Sequence, residues 1–403
     1  MKILVIHNYY QNPGGEDAVC EEEMALLRRM NQQIFHYSIS NNVIRDFGAL
    51  ETLKLPWKSI WAHDSYKGVH RLIKCTSPDV VHLHNTFPLA SPSVHYACAR
   101  ERVPVVQTLH NFRLLCPAAT FLRDGKVCES CSGRMLAWPA VLHGCYRGSR
   151  SATVATAGML AVHRSLGTWQ TKVDVFIALS EFARGKFIAG GLPADRIVVK
   201  PNFVPHAPEG RSSGGEYGLY AGRLSEEKGI RVLLRAAAKS SSSILLKVAG
   251  DGPLLEEARD SMAGHIDLLG RVSPEQVVDL MRGARFVIVP SICFENFPLV
   301  IAESFACGVP VIASRLGSLA EIVEDGRTGL LFAPGDPQDL AAKVDWAWSN
   351  PEAMSEMGRA ARREYECKYT SEHNYRMLME IYQRAITSRA PQGRAVAKEL
   401  VEG

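Results

Sequence analysis

Short apolar runs rich in β-branched residues recur along this chain, and their lack of polar alternation is the strongest constraint on its fold. KILVIH (2–7), IFHYS (34–38), DVVHLH (79–84), PVVQTLH (104–110), DVFIALS (174–180) and IVVK (197–200) are separated by helix-length segments. A strand with one wet face alternates apolar and polar side chains, whereas a strand covered on both faces does not. The runs therefore predict a parallel sheet between layers of helices. The first connection, GEDAVCEEEMALLRRM, places Cys20, Met24, Leu27 and Met30 on one helical face. A stretch rich in Pro, Gly and Ser (200–218) reads as a linker with a hinge near 201–216. The pattern then restarts with YGLYAGRL (217–224), ILLKVAG (244–250), IDLLGRV (266–272), RFVIVPS (285–291), PVIAS (310–314) and GLLF (329–332). The expectation is an α/β protein of two doubly wound, Rossmann-like domains, 1–200 and 201–403, facing each other across a deep cleft. The tail, 338–388, reads as helices anchored by Trp346, Trp348, Tyr365, Tyr375 and Tyr382 and packing back on the first domain, with a frayed end at 389–403.

Composition narrows the function classes. Hydrophobic residues make up 46% and charged ones 22%, enough to bury a full core. A formal charge of +4 is too small for a charge-based claim of nucleic-acid binding, but suits anionic ligands or an anionic membrane surface. The apolar run at the N-terminus stops at His7, short of a signal peptide, and no stretch reaches the roughly 18 apolar residues of a membrane span. These features predict a cytoplasmic protein, with peripheral contact at the inner face of the plasma membrane suggested by two segments. KLPWKSIWAHDSYKGVHRLIK (54–74) mixes Lys and Arg with Trp57 and Trp61, and residues 134–169 mix apolar residues with Arg147, Arg150 and Arg164. The rival reading is core helices with solvated charges.

Ten cysteines are scattered in a chain read as intracellular, which favours thiols or a metal site over disulfides. Cys116, Cys128, Cys131 and Cys145 share one insertion (116–145) with a central C-x-x-C. Four thiolates at such spacing can close a tetrahedral structural zinc site; free or redox-active thiols are the alternative.

Ligands of doubly wound folds bind beyond the carboxyl ends of the strands, so the segments after each strand hold the candidates. Gly14 and Gly15 open the first helix, where free N–H groups suit an anion; a plain tight turn is the equal alternative, and the dinucleotide fingerprint G-x-G-x-x-G is absent. His110 ends the fourth strand, followed by Asn111 and Arg113; a lone histidine is commonly structural, and its place at a strand's carboxyl end facing the cleft makes a site role an equal reading. In AGRLSEEKGI, Arg223 and Lys228 lie across a loop and the start of a helix, where two cations oppose the helix dipole unless an anion sits between them. A diphosphate answers that need; a surface pair bridged to Glu226 and Glu227 is the bland reading. In VAGDGPL, Gly250 and Gly252 either admit a nucleotide to the backbone or form a plain turn. CFENFPLVIAESFACG carries two carboxylates, Glu295 and Glu303, with seven uncharged residues between them. Pro298 suits the first turn of a helix that Gly308 closes, which puts Glu295 in a loop and Glu303 one turn into an apolar helix. A buried carboxylate needs donors, and the vicinal hydroxyls of a sugar supply them.

Together GRLSEEKG, GDGPL and PSICFENFPLVIAESFACGVPVIASRLGSLAEIVEDGRTGLLF resemble the retaining glycosyltransferases of family four, the glycosyl transferases group 1, whose fold is GT-B. The resemblance spans nearly the whole chain and is strongest in its second half. It implies that Arg223 and Lys228 neutralise the diphosphate of a UDP- or GDP-sugar donor, that Glu303 holds the ribose, and that Glu295 contacts the transferred sugar. It also implies that amides around Phe297, Leu299 and Val300 contact sugar or phosphate. His110 would stand beside the reacting sugar carbon, Gly14 and Gly15 near the phosphates. No metal or other cofactor is then required for catalysis, since Arg and Lys replace a metal and no D-x-D motif is present. The acceptor would be a saccharide or a lipid-linked saccharide of bacterial surface polysaccharide or glycoconjugate synthesis. One departure is ENFP where the family often has E-G-F-G: Asn296 and Pro298 replace glycines, and proline removes one backbone donor. A nucleotide-sugar epimerase of the same fold and a non-enzymatic sugar-nucleotide binding protein are the alternatives. The first would convert the donor without an acceptor; the second would bind without turnover.

Overall fold

In the computed structural model, residues 1–12, 14–205, 208, 210, 215–240, 244–260 and 266–389 are described. Part of the expected linker (206, 207, 209 and 211–214) and all but the first residue of the expected frayed end lie outside them. The strands are β1 (Lys2–Tyr9), β2 (Gln33–Ser40), β3 (Val80–Leu83), β4 (Val105–Thr108), β5 (Leu122–Arg123), β6 (Lys126–Val127), β7 (Val175–Ala178), β8 (Ile197–Val199), β9 (Tyr217–Ala221), β10 (Leu246–Ala249), β11 (Ile266–Gly270), β12 (Ala284–Val289), β13 (Val311–Ser314) and β14 (Gly329–Phe332). All twelve apolar runs became strands, and the small antiparallel hairpin β5–β6 is the addition.

Two parallel six-stranded sheets result, with different orders: β2-β1-β3-β4-β7-β8 and β11-β10-β9-β12-β13-β14. Only the second follows the Rossmann order 3-2-1-4-5-6; the first is wound 2-1-3-4-5-6, the flavodoxin-like order. Full burial explains the missing polar alternation, since β3, β4, β7, β13 and β14 are buried at every position.

The helix Gly15–Arg29 buries Cys20, Met24 and Leu27 as expected, but Met30 caps its C-terminus and is 41% exposed. Three helices form the tail: Pro337–Ser349, Pro351–Lys368 and Ser371–Arg389. Tyr365 and Tyr382 are buried anchors there, whereas Trp346 is exposed and Trp348 lies under the Arg285 guanidinium. The last helix crosses to the first sheet: the Tyr382 hydroxyl meets His82 Nδ1 at 2.8 Å, and Arg389 pairs with Asp174 at 2.7 Å.

The two halves also touch directly at their facing ends. Phe294 enters an aromatic cluster of Phe112, Phe121 and Phe182. The Glu321 carboxylate accepts the first amides of the helix Glu181–Ala189, from Glu181 (2.8 Å) and Phe182 (2.7 Å), so one half caps a helix of the other.

Candidate active site

The order of the second sheet reverses between β9 and β12, so its crevice opens between the loops 222–229 and 290–298. Gly229, at φ +72°, allows these loops to touch: a Cβ there would stand 1.8 Å from the Pro290 carbonyl oxygen. The Ile292 amide donates to the Glu227 carbonyl at 3.0 Å. Lys228 Nζ is thereby brought 2.7 Å from Glu295 Oε1, which also accepts from the Ser291 hydroxyl at 2.8 Å. Burial works against the Lys228 charge, but Glu295 outweighs it and holds the lysine above its ordinary pKa. Glu226 and Glu227 do not pair with this lysine. The helix starts only at Ile230, so Arg223 and Lys228 both precede it instead of straddling its first turn. Arg223 is exposed and makes no ion pair among the described residues.

The loop 290–298 leads into the helix Leu299–Ala306, with Pro298 at the N-cap and not inside the first turn. Leu299 and Val300 supply the first helical amides, while the Ile301 amide goes to the Pro298 carbonyl at 3.1 Å. The Phe297 side chain is in the core against Tyr369. Glu303 is partly buried in this helix, and among the described residues no donor reaches its carboxylate. Burial raises its pKa to about 7. Asn296, the departure from the family pattern, has a structural role: its Nδ2 donates to the Leu109 carbonyl at 2.8 Å, tying the Glu295 loop to the residue before His110.

The glycines of AGDGPL are explained without a ligand. Gly250 (φ +153°) and Gly252 (φ +159°) lie against the loop after β9, where Cβ atoms would come 1.8 Å from the Gly222 carbonyl oxygen and 2.5 Å from that of Leu224. Gly14 differs. Its φ of −137° suits any residue, and a Cβ there meets nothing within 4 Å, so the turn is open. A Cβ on Gly15 would lie 3.7 Å from Leu299 Cδ1, so the glycine turn of the first half faces the helix of Glu303.

In the first sheet the order reverses between β1 and β3, and the loops after β1, β3 and β4 meet there. β4 ends at Thr108, two residues short of the expected end, which leaves His110 in the loop. His110 Nε2 is 2.9 Å from His84 Nδ1. His84 Nε2 is 3.4 Å from Glu23 Oε1, and Glu23 Oε2 accepts from Lys200 Nζ at 2.9 Å. Burial alone would raise the Glu23 pKa, but Lys200 and His82 outweigh it and hold the carboxylate well below the usual range. Burial, then His82, pushes the His84 pKa down to about 3; burial, then His84, keeps that of His110 well below its ordinary value. Both imidazoles are therefore neutral. The Glu23 carboxylate lies 3.4 Å from His84 Nε2 without a hydrogen bond, and its charge favours the proton on that nitrogen, which makes His84 Nδ1 the acceptor from His110 Nε2–H. In that arrangement Nδ1 is the lone-pair atom of His110. Glu16 completes the site: half-buried, its carboxyl accepts from Asn111 Nδ2 (2.9 Å) and the Tyr10 hydroxyl (3.1 Å), and desolvation raises its pKa. A pocket beside His110 is lined by Glu16, Asn111, Arg113, Met159 and Trp169.

Sequence reasoning singled out His110, but missed Glu16, Glu23, His84 and Lys200. Two signals were present: histidines inside the otherwise apolar DVVHLH run, and the lone lysine closing IVVK. Glu23, His82 and His84 have ligand atoms within 4.8 Å of one another and could hold a metal. The Lys200 ammonium on the same carboxylate already supplies the countercharge. Among the described residues no other group of His, Cys, Asp or Glu is so close, so no three sulfurs of Cys116, Cys128, Cys131 and Cys145 share a 4.8 Å site. Tetrahedral zinc needs sulfurs about 3.8 Å apart. The expected zinc site is not preformed, although Cys116, Cys128 and Cys145 add to burial in raising the Cys131 thiol.

Two doubly wound domains whose strand ends face each other, with a cation–carboxylate pair on one side and a half-buried histidine on the other, define the GT-B class. The family model for glycosyl transferases group 1 matches residues 206–364, and that for glycosyltransferase family 4 matches 42–207. The chain belongs to this glycosyltransferase family. It is 34% identical over 171 residues to an uncharacterized glycosyltransferase of Methanocaldococcus jannaschii, covering 41% of this chain and 48% of that one. It is 29% identical over 305 residues to the D-inositol 3-phosphate glycosyltransferase of Rhodococcus erythropolis, covering 71% and 64%. These matches thus span roughly half to under two-thirds of the relatives' own length. The Anabaena HepE structure in complex with UDP and glucose superposes with a TM-score of 0.68 at 19% identity, covering 94% of this chain and 98% of that one.

Proposed function

We propose that the protein is a retaining glycosyltransferase that moves a sugar from a UDP- or GDP-sugar to a saccharide or lipid-linked saccharide acceptor. The observation that carries this reading is the meeting of Lys228 with Glu295 at the switch point of the second sheet, in the half facing His110. A donor diphosphate competes for Lys228 and recruits Arg223, while the sugar hydroxyls donate to the released Glu295 carboxylate. The ribose supplies the donors that Glu303 lacks. Positive charge developing on the sugar carbon is stabilised by the lone pair at His110 Nδ1, and negative charge on the leaving diphosphate by the two cations and the amides of Leu299 and Val300. The diphosphate itself can take the acceptor proton.

A donor panel tests the reading. UDP or GDP at 100 times Kd should stabilise the protein by about 2.7 kcal/mol, a shift of several degrees in Tm. No shift with any nucleoside diphosphate would exclude it. Turnover of the protective nucleotide sugar without an acceptor would favour the epimerase.

Glu303 gives a pH-dependent check. Its folded-state pKa, about 7, lies above that of an unfolded glutamate, so its contribution to stability is complete below about pH 4.3 and is lost as pH rises through 7. Glu303→Gln should remove this slope and be more stable than the wild type by about 2 kcal/mol at pH 8, after discounting for partial exposure, with no gain at pH 4. The same variant should lose nucleotide protection. Urea unfolding at both pH values, with and without nucleotide, reads both effects; equal stabilisation at pH 4 and 8 would contradict the assignment.

A further inference from the structure

We propose that one face of the first domain docks on the surface of an anionic lipid bilayer. The helices Ala49–Ile60 and Trp138–His143 both pack against the helix Arg150–Ser165. All three turn apolar side chains outward: Leu53 is 73% and Trp57 74% exposed on the first, Trp138 49% and Leu142 58% on the second, and Val154 53% on the third. Of the sixteen large hydrophobic residues exposed among the described residues, thirteen lie between Val43 and Leu166. Single exposed apolar residues need no explanation, but a concentration of this kind on neighbouring helices marks a surface that something covers.

Charge identifies the occupant. From Arg134 to Leu166 the chain carries four arginines and no acidic residue. Arg134, Arg147 and Arg150 are exposed, as is Lys54 between Leu53 and Trp57. Tryptophans among cations on a projecting helical surface match the interface of a bilayer with anionic headgroups, where the rings sit at headgroup depth and each cation adds attraction. A second copy packed through this face would set its cations largely against themselves, since Glu51 is the one acid on these three helices, beside Lys54 and Lys58 of its own helix. No helix among the described residues is long and apolar enough to cross a membrane, so the contact is peripheral. The helix Arg150–Ser165 also carries Met159 into the pocket beside His110, so docking brings that pocket close to the lipid surface. Delivery of a lipid-linked acceptor there rests on the transferase reading; the docking itself does not.

The test is co-sedimentation of the full chain with vesicles of phosphatidylcholine alone and of phosphatidylcholine with phosphatidylglycerol. Partition onto the anionic vesicles should exceed that onto the neutral ones by about tenfold or more and fall with salt. The double variant Leu53→Ser/Trp57→Ser should bind the anionic vesicles at least about tenfold more weakly, because two exposed apolar side chains no longer enter the interface. Its Tm and nucleotide protection should match the wild type, which separates this proposal from the active site. Absent binding to anionic vesicles, or equal binding by the variant, overturns the proposal. A concentration-dependent dimer lost in the variant, without vesicle binding, would assign the face to a second copy instead.

Discussion

Replacing Lys228 by alanine is expected to lower kcat by about 10²–10³-fold with little change in the acceptor KM. Preorganised charge aimed at a leaving group acts mainly in the transition state, and losing one such group typically costs that much. Lys228 is preorganised because the loop 222–229 is pinned at Gly229 and Glu227 against the strand end that carries Glu295. Glu295→Ala should reduce kcat as well, but through the sugar. A double-mutant cycle separates the two roles. If the residues only hold one another, the double variant will resemble either single one. If each contacts a different part of the donor, the losses will accumulate. Steady-state rates unchanged in Lys228→Ala would sink the assignment of this loop to the diphosphate. Arg223→Ala should also lower kcat, and by less, because this exposed side chain first has to be drawn into place.

The largest stability effect is expected at Lys200. It is 1% exposed and stands 2.9 Å from Glu23, itself 2% exposed, beneath the histidines that orient His110. Lys200→Met keeps the stem and removes the charge, leaving the carboxylate uncompensated in the core. The expected cost is about 3–5 kcal/mol. Pairing it with Glu23→Gln should recover most of that loss, since replacing both members of a buried pair is often nearly neutral. Urea unfolding of the three variants measures this, and a loss under about 1 kcal/mol in Lys200→Met would show that the pair does not matter for stability. The pH dependence has the opposite sign to that of Glu303. The folded-state pKa of Glu23 is depressed, so its contribution is present above the ordinary carboxylate range and is lost as pH falls below it. Wild-type protein should therefore weaken in acid at Glu23 and in base at Glu303.

The sequence legibly placed the site's loops because burial on both faces leaves an unambiguous mark: apolar runs without alternation became the twelve sheet strands, and ligands of such sheets bind at their carboxyl ends. It was less informative where one residue's role depends on a distant partner. Arg223 and Lys228 read as a pair of cations, yet Lys228 pairs with Glu295, 67 positions away. Asn296 read as a gap in a motif and turned out to bind the Leu109 carbonyl across the domain boundary. Gly250 read equally as room for a nucleotide or as a plain turn, and the close approach of the Gly222 carbonyl gives the glycine a structural reason that its spacing does not show.

By itself the sequence determined the twelve strands of the two sheets, the two-sheet architecture and which loops reach the cleft, because hydrophobic period and turn chemistry are local properties. Only the tertiary structure decided the winding order of the first sheet, the hydrogen-bond partner of His110 and the ionisation of Glu303. Each depends on burial and on partners far along the chain: Glu23, His84 and Lys200 for the histidine, and for Glu303 the absence of any donor near it among the described residues. Desolvation and hydrogen bonding are set by what lies within a few ångströms, and sequence spacing does not carry that information.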